Sequence, residues 1–248
     1  MIDSKLLRTP EYSIVILCYQ AEEYCRVFVA EVIEHIKKSN MDYELILVAN
    51  YWENSNDQTP RIAQELSNNN AHIKVVTLPK KGGMSWDMIS GLKVCTGKII
   101  AVIDGDGQMP AHDLVRSYKK LKDENLDFVK TYRTKREDNR YRNFISVVYN
   151  FIFRILFPGL SVRDINSKPK IFTRDVYQKL NLTSSGWFID AEIMIQVRRL
   201  HLKTGEIPTI FKMNTRSSYV KFEAIWEFIK NLIKARIYEL KTNKKEYL

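Results

Sequence analysis

Glycine-rich phosphate loops are missing from this chain. Its nine glycines are scattered over 248 residues, and neither GxxxxGK[ST] nor GxGxxG can be drawn through them, which excludes the two commonest backbone cradles for nucleotide phosphates. Three cysteines, Cys18, Cys25 and Cys95, stand at spacings that give neither a disulfide framework nor a zinc site, and a reducing, cytoplasmic setting is expected. The first ten residues hold no apolar core behind a basic region, so no signal peptide is read there. Long hydrophobic runs are also lacking. The strongest, 144–160, is broken by Arg154 and Pro158 and falls short of the roughly twenty apolar residues that cross a bilayer. The histidines are few and dispersed, and only His112 lies near a candidate site.

What remains is an ordinary globular composition, 45% hydrophobic and 27% charged, which bounds the chain as one α/β domain. A net charge of +10 calls for an anionic partner: nucleotide, phospholipid, phosphorylated substrate or nucleic acid. The basic run Lys130, Arg133, Lys135, Arg136, Arg140, Arg142 has no regularly interleaved aromatics, so nucleic acid is not expected.

Strand and helix patterns alternate through the first hundred residues. Strands are read at Ser13–Cys18, Glu44–Val48 and Ile73–Leu78, with helices after each, giving β-α-β-α-β-α-β and a parallel sheet. Lys80-Lys81-Gly82-Gly83 reads as a flexible basic turn. The fourth strand, 98–103, runs straight into Asp104-Gly105-Asp106-Gly107-Gln108. Asp and Gly are common turn formers, so position rather than composition makes this string informative. Two carboxylates and an amide oxygen stand at the carboxyl end of a buried strand, where open α/β sheets bind ligands. Oxygen ligands of this kind suit a hard divalent ion shared with phosphate oxygens. A helix-loop-helix calcium site would need a carboxylate twelve positions along, where Val115 stands.

The second half is less regular. Asp127–Tyr132 reads as a strand, Arg133–Arg142 as a mobile charged loop, and the apolar stretch at 144–160 as a segment able to lie on a membrane. Glu223–Leu240 places Ile225, Phe228, Ile229, Leu232, Ile233 and Ile237 opposite Glu227, Lys230, Lys234 and Arg236, a basic amphipathic helix that either sits in an interface or packs on the domain. The expected organisation is a domain over 1–222 followed by this helix and a basic tail over 223–248.

A strand ending in Cys18-Tyr19, a second strand followed by a turn, a basic Gly turn and a strand ending in Asp-x-Asp together resemble the inverting family 2 glycosyltransferases of GT-A fold, a Rossmann-like, mostly parallel sheet flanked by helices. DGDGQMP is similar to the DADxQ signature of the polyprenyl-phosphate branch, typified by dolichyl-phosphate mannose synthase. Thr131-Tyr132-Arg133, Asn143 to Ser146, Val162-Arg163-Asp164 through Ser167-Lys168 to Arg174, Trp187 to Glu192 and Arg216-Ser217-Ser218 with Lys221 follow that branch's order.

The resemblance implies a metal-dependent hexosyltransferase on the cytoplasmic face of a membrane, moving sugar from a UDP- or GDP-sugar to a polyprenyl phosphate. By it, Asp104, Asp106 and Gln108 hold Mg²⁺ or Mn²⁺, and Cys18, Tyr19, Glu22, Asn50, Lys81, Asp104 and Asp106 face the donor. Arg133, Arg142, Ser146, Asp164, Glu192, Ser218 and Lys221 serve the acceptor, and Asp106, Asp190 and Arg216 are the catalytic candidates. Asp190 and Glu192 either take a proton from a hydroxyl acceptor or orient a basic partner. Peripheral membrane contact is implied, with a membrane subunit as a possible partner. Two other readings stay open: a family 2 enzyme acting on a sugar hydroxyl, and a non-catalytic binder of lipid or nucleotide sugar. The chain departs from the family at its first turn and after its second strand, where Ala49-Asn50-Tyr51-Trp52 replaces DDGS. A different nucleotide contact is implied, with Tyr51 or Trp52 stacking on the base or packing in the fold.

Overall fold

The computed structural model describes residues 9–136, 140–160, 162–213 and 222–245. Seven strands form one sheet: β1 (Tyr12–Leu17), β2 (Tyr43–Val48), β3 (Ile73–Val76), β4 (Ile99–Asp104), β5 (Phe128–Arg136), β6 (Lys170–Thr173) and β7 (Thr204–Phe211). Their order is β3-β2-β1-β4-β6-β5-β7, parallel throughout except for β6, which runs against both neighbours. Eight described helices flank it: α1 (Glu23–Lys38), α2 (Thr59–Asn68), α3 (Met84–Leu92), α4 (His112–Asp123), α5 (Arg140–Leu156), α6 (Arg174–Lys179), α7 (Ile189–Arg199) and α8 (Phe222–Lys245). The expected α/β class, mostly parallel sheet and C-terminal helix are present.

The strands that carry the sheet are apolar on both sides because helices cover both faces. In β1, Ile14 and Ile16 join one core with Phe28, Val32 and Ile36 of α1, while Val15 joins the other with Met88 of α3 and Met194 of α7. Cys25, Phe28, Val29, Val32 and Ile36 of α1 are buried, the three- and four-residue recurrence of a helix lying on a sheet. Each such aliphatic or aromatic side chain contributes about 1.5–3 kcal/mol on leaving water.

Of the segment read as a mobile loop, 133–142, the described residues 133–136 and 140–142 have regular structure. β5 continues to Arg136, paired in parallel with β7 through Arg136↔Phe211, with an irregularity between Arg133 and Lys135. Backbone pairing with β7 supplies there what hydrophobic patterning does not, and Thr134 Oγ1 donates to Thr209 O at 3.0 Å. α5 then starts at Arg140.

Chain order and strand order together place the site. After β3 the chain crosses back beyond β1 to β4, so β1 and β4 flank the switch point, with Leu17 opposite Asp104. Because β6 is antiparallel, its N-terminal approach reaches the same edge as the carboxyl ends of β1, β4, β5 and β7.

Candidate functional site

Asp104 closes β4, and the loop that follows is held by local bonds. Asp106 Oδ1 accepts from Gln108 N at 3.0 Å, and Gly107 between them has φ 66°, the left-handed region glycine enters without strain. A Cβ there would lie 2.2 Å from Tyr24 Oη. Gln108 Nε2 donates to Lys212 O at 3.3 Å, and Lys212 N returns a bond to Gln108 O at 2.9 Å. The amide oxygen of Gln108 is thus turned away from the nitrogen's bond, and Asp104, Asp106 and Gln108 are all partly exposed. Among the described residues no three His, Cys, Asp or Glu side chains form a metal cage. Two carboxylates and one amide oxygen fit an ion that completes its shell with phosphate and water oxygens, as Mg²⁺ does.

Behind Asp104 lies an ion network that the sequence reading missed. Lys168 Nζ sits 3.0 and 3.1 Å from the two Asp104 oxygens and 3.3 Å from Asp190 Oδ2. Lys170 Nζ donates to Asp190 Oδ1 at 2.5 Å and to Ser167 O at 3.1 Å. Lys130, opposite Lys170 in the register, reaches Glu206 Oε1 at 3.1 Å. All three lysines are buried. Burial alone raises a carboxyl pKa, yet the charges of Lys168 and Lys170 outweigh it and hold Asp190 below the usual range. Burial brings Lys170 down to about 8, against the pull of Asp190. For Lys168 the carboxylates of Asp104 and Asp190 overcome burial, and its pKa rises. Asp190 is therefore engaged on both oxygens by buried ammonium groups.

Glu192 is committed elsewhere, accepting from Thr183 N at 2.9 Å and Ser184 N at 3.1 Å. It braces the loop whose Ser185 O and Gly186 O accept from Gly83 N and Ser85 N at 2.8 and 2.9 Å. The Lys80 to Gly83 turn, read as flexible, is pinned by this docking: a Cβ on Gly82 would meet Ser185 O at 2.2 Å. Lys80, not Lys81, is the buried cation of that turn. It pairs with Asp87 and stands 4.3 Å from the Tyr19 ring centroid. Lys81 is exposed.

Two donor candidates turn inward. Cys18 is fully buried, its Sγ 3.4 Å from Ile16 O and 3.5 Å from Cys25 Sγ. Asn50 is fully buried too, donating to Asp87 Oδ1 and Ser90 Oγ at 2.9 Å each and accepting from Leu78 N at 2.9 Å. Their side chains are structural, because every Asn50 side-chain bond ties β2 to α3 and the β3 exit. Tyr19 and Glu22 flank the first turn, which Asp57 and Thr59 hold by accepting from Gln20 N at 3.1 Å and Glu22 N at 2.9 Å. Trp52 is exposed, with Lys80 Nζ 6.0 Å from its centroid.

On the β5 side three acceptor candidates converge. Arg133 Nε and Nη2 donate to Asp164 Oδ2 and Oδ1 at 2.6 and 2.8 Å, and Nη2 lies 3.5 Å from Ser146 Oγ. Burial is outweighed by Arg133, so Asp164 is held well below the ordinary carboxylate range. Arg216, Ser218 and Lys221 and the side chain of Arg142 lie outside the described residues.

The model of glycosyl transferase family 2 matches residues 13 to 181, more than half of the chain. The chain belongs to that family. Among curated relatives, a dolichol-phosphate mannosyltransferase of Pyrococcus furiosus is 27% identical over 207 residues, 80% of this chain and 56% of that protein. An undecaprenyl-phosphate 4-deoxy-4-formamido-L-arabinose transferase of Pectobacterium atrosepticum is 26% identical over 165 residues, 66% of this chain and 49% of that protein. The family 2 chain thus spans about half the length of the curated relatives it matches. Among solved structures, glucosyl-3-phosphoglycerate synthase from Mycobacterium tuberculosis with Mn²⁺, uridine diphosphate and phosphoglyceric acid superposes with a TM-score of 0.69 at 18% identity, over 92% of this chain and 78% of that one. That likeness extends the shared fold to nearly the whole family 2 chain.

Proposed function

We propose that this family 2 domain transfers a hexosyl group from a nucleoside-diphosphate sugar to a polyprenyl phosphate at the cytoplasmic face of a membrane. The observation that carries the reading is the commitment of the acidic pair. Asp190 is locked between two lysines and Glu192 braces a loop, so neither is poised to take a proton. A hydroxyl acceptor needs such a base; a phosphate, with its second pKa near 6, arrives as a nucleophile. Polyprenyl phosphates are also what the named relatives act on.

In this reading Asp104, Asp106 and Gln108 hold Mg²⁺ or Mn²⁺, which when bound supplies Lewis-acid stabilisation of the leaving nucleoside diphosphate. Tyr19 and Trp52, with Lys80 between them, border the base end of the donor site. Asp164 fixes the Arg133 guanidinium beside Ser146, where its charge and planar donors suit an acceptor phosphate.

Membrane contact is supported by α5. Its inner face, Tyr149 and Phe153, is buried, while Phe144, Val147, Phe151 and Ile155 on the outer face are 67%, 61%, 61% and 62% exposed. An unpartnered apolar stripe of this kind, on a chain of net charge +10, suits an anionic lipid surface. No described helix is long and apolar enough to cross a membrane. In α8, Leu232 is buried and Phe228 packs on Tyr149, while Ile233, Ile237, Tyr238 and Leu240 face outward.

The test is Mn²⁺- or Mg²⁺-dependent transfer from a panel of radiolabelled UDP- and GDP-sugars to a short polyprenyl phosphate, with the matched polyprenol as control. Transfer to the phosphate and not to the alcohol is expected. Transfer to hydroxyl acceptors alone overturns the reading in favour of a polysaccharide-type family 2 enzyme.

A further inference from the structure

Lys168 enters the metal site from the strand beside it. β6 runs against β4 with Lys170 opposite Val102, so the residues before β6 arrive where Asp104 ends its strand. The Lys168 ammonium is shared among Asp104, Asp190 and, at 3.1 Å, Met84 Sδ, and its side chain is 3% exposed. The backbone is fixed as well, with Lys168 O accepting from Thr131 Oγ1 at 2.7 Å. Asp104 keeps 32% of its side chain exposed. One carboxylate therefore has an ammonium on its buried side and keeps part of its surface open to solvent.

The charges around that carboxylate decide what it can hold. Asp104, Asp106 and Asp190 bring three negative charges, and Lys168 and Lys170 bring two positive ones, which leaves a single net negative charge facing a dication. The nearer ammonium would share Asp104 with such an ion and is shielded from solvent, so its repulsion would be little screened.

We propose that Lys168 is a built-in cation of this metal site, a positioning residue that aims Asp104 and lowers the site's charge so that a bare divalent ion is held weakly and is taken up together with the donor's diphosphate. The inference rests on the metal-dependent reading above. The phosphate oxygens bring the negative charge that Lys168 has cancelled, so ion and nucleotide each strengthen the other's binding, and the coupling is reciprocal.

The experiment is a Mn²⁺ titration of the full chain followed by paramagnetic resonance of the free ion, with and without UDP or GDP, on the wild type, K168M and K168R. K168M keeps the length and the Met84 contact but loses the charge. It is expected to bind bare Mn²⁺ at least about tenfold more tightly than wild type, with K168R close to wild type and a smaller enhancement by nucleotide in K168M. A gain in affinity cannot come from damage to the fold. Unchanged or weaker binding of bare Mn²⁺ by K168M overturns the proposal and leaves the functional reading standing, provided wild type takes up Mn²⁺ with nucleotide. Wild type that takes up no Mn²⁺ with either nucleotide overturns both. If K168M does not fold, wild type decides alone. Bare Mn²⁺ held with a Kd below about 10 µM overturns the proposal, and bare binding that nucleotide tightens about a hundredfold or more sustains it.

Discussion

Asp190→Asn separates two chemistries that a carboxylate at this position can serve. As a general base, Asp190 would lose its function on amidation while the fold kept its stability, and turnover would fall by about 10²–10⁴. The structure instead makes it the common counter-charge of Lys168 and Lys170, 3.3 and 2.5 Å away, with 5% of its side chain exposed. Removing one partner of a buried pair strands the other and costs about 3–5 kcal/mol. For a chain of 248 residues each kcal/mol moves Tm by roughly 2 °C, so D190N is expected to melt about 6–10 °C below wild type. Replacing Lys170 by Met in the same chain removes the stranded charge. D190N/K170M is therefore expected to regain at least half of the loss, a non-additivity that reports direct coupling. Calorimetric or dichroism melts of the wild type, both single variants and the double variant complete the cycle. A D190N protein melting within about 2 °C of wild type, with turnover down a thousandfold and the acid limb of its pH profile gone, would refute the reasoning and return Asp190 to the role of base.

Three further outcomes are expected. Gly107→Ala puts a methyl 2.2 Å from the Tyr24 hydroxyl at a φ of 66°, so it should cost about 1–3 kcal/mol and weaken nucleotide-dependent Mn²⁺ binding; a variant with wild-type melting and metal uptake contradicts this. Asp164 and Asp190 are both held below their ordinary pKa, so the folded state binds fewer protons than the unfolded chain in acid. Their stabilisation is full above about pH 4 and is lost as pH falls below it; D164N should flatten the fall in Tm between about pH 4.5 and 2.5, and a curve parallel to wild type over that range counts against the pairing with Arg133. Val147→Asp with Phe151→Glu, both on the exposed stripe, should abolish sedimentation with anionic vesicles while leaving Tm within about 1–2 °C; undiminished sedimentation would remove α5 from the membrane face.

The first half of the sheet was legible because its signals are local. β1, β2 and β4 carry the apolar runs Ile14 to Leu17, Leu45 to Val48 and Ile99 to Ile103, buried almost throughout, and the Asp-Gly string falls where the crossover from β3 opens the sheet. Legibility declined where stability comes from partners remote in sequence. β7 and the end of β5 stabilise each other by backbone pairing from Phe128↔Thr204 to Arg136↔Phe211, and basic side chains on such a strand look like a solvated loop until the neighbour is known. The side chains of Asn50 and Cys18 were not legible for the converse reason: both residues stand just past strand ends on that edge, but their side chains are buried in the fold, and only backbone position was readable.

The buried lysines mark the sharpest limit. Lys130 and Lys170 occupy facing register positions on neighbouring strands, and two ammonium groups side by side are unfavourable unless carboxylates arrive from elsewhere. The carboxylates that meet the three buried lysines come from three directions: Glu206 reaches Lys130 across the β5–β7 pair, Asp190 reaches Lys170 from the first turn of α7, and Asp104 reaches Lys168 from the end of β4. A weak local signal existed, since Lys168 and Lys170 alternate with Pro169 and Ile171 at the entry to a strand, which puts both cations on one face. Which acids they meet is fixed by the antiparallel insertion of β6 between β4 and β5. The same insertion carries Lys168 to Asp104, so the contact between the Asp-Gly loop and the ion network behind it is a consequence of one topological choice. Reversing β6 would separate the two without changing a residue of the Asp-Gly string.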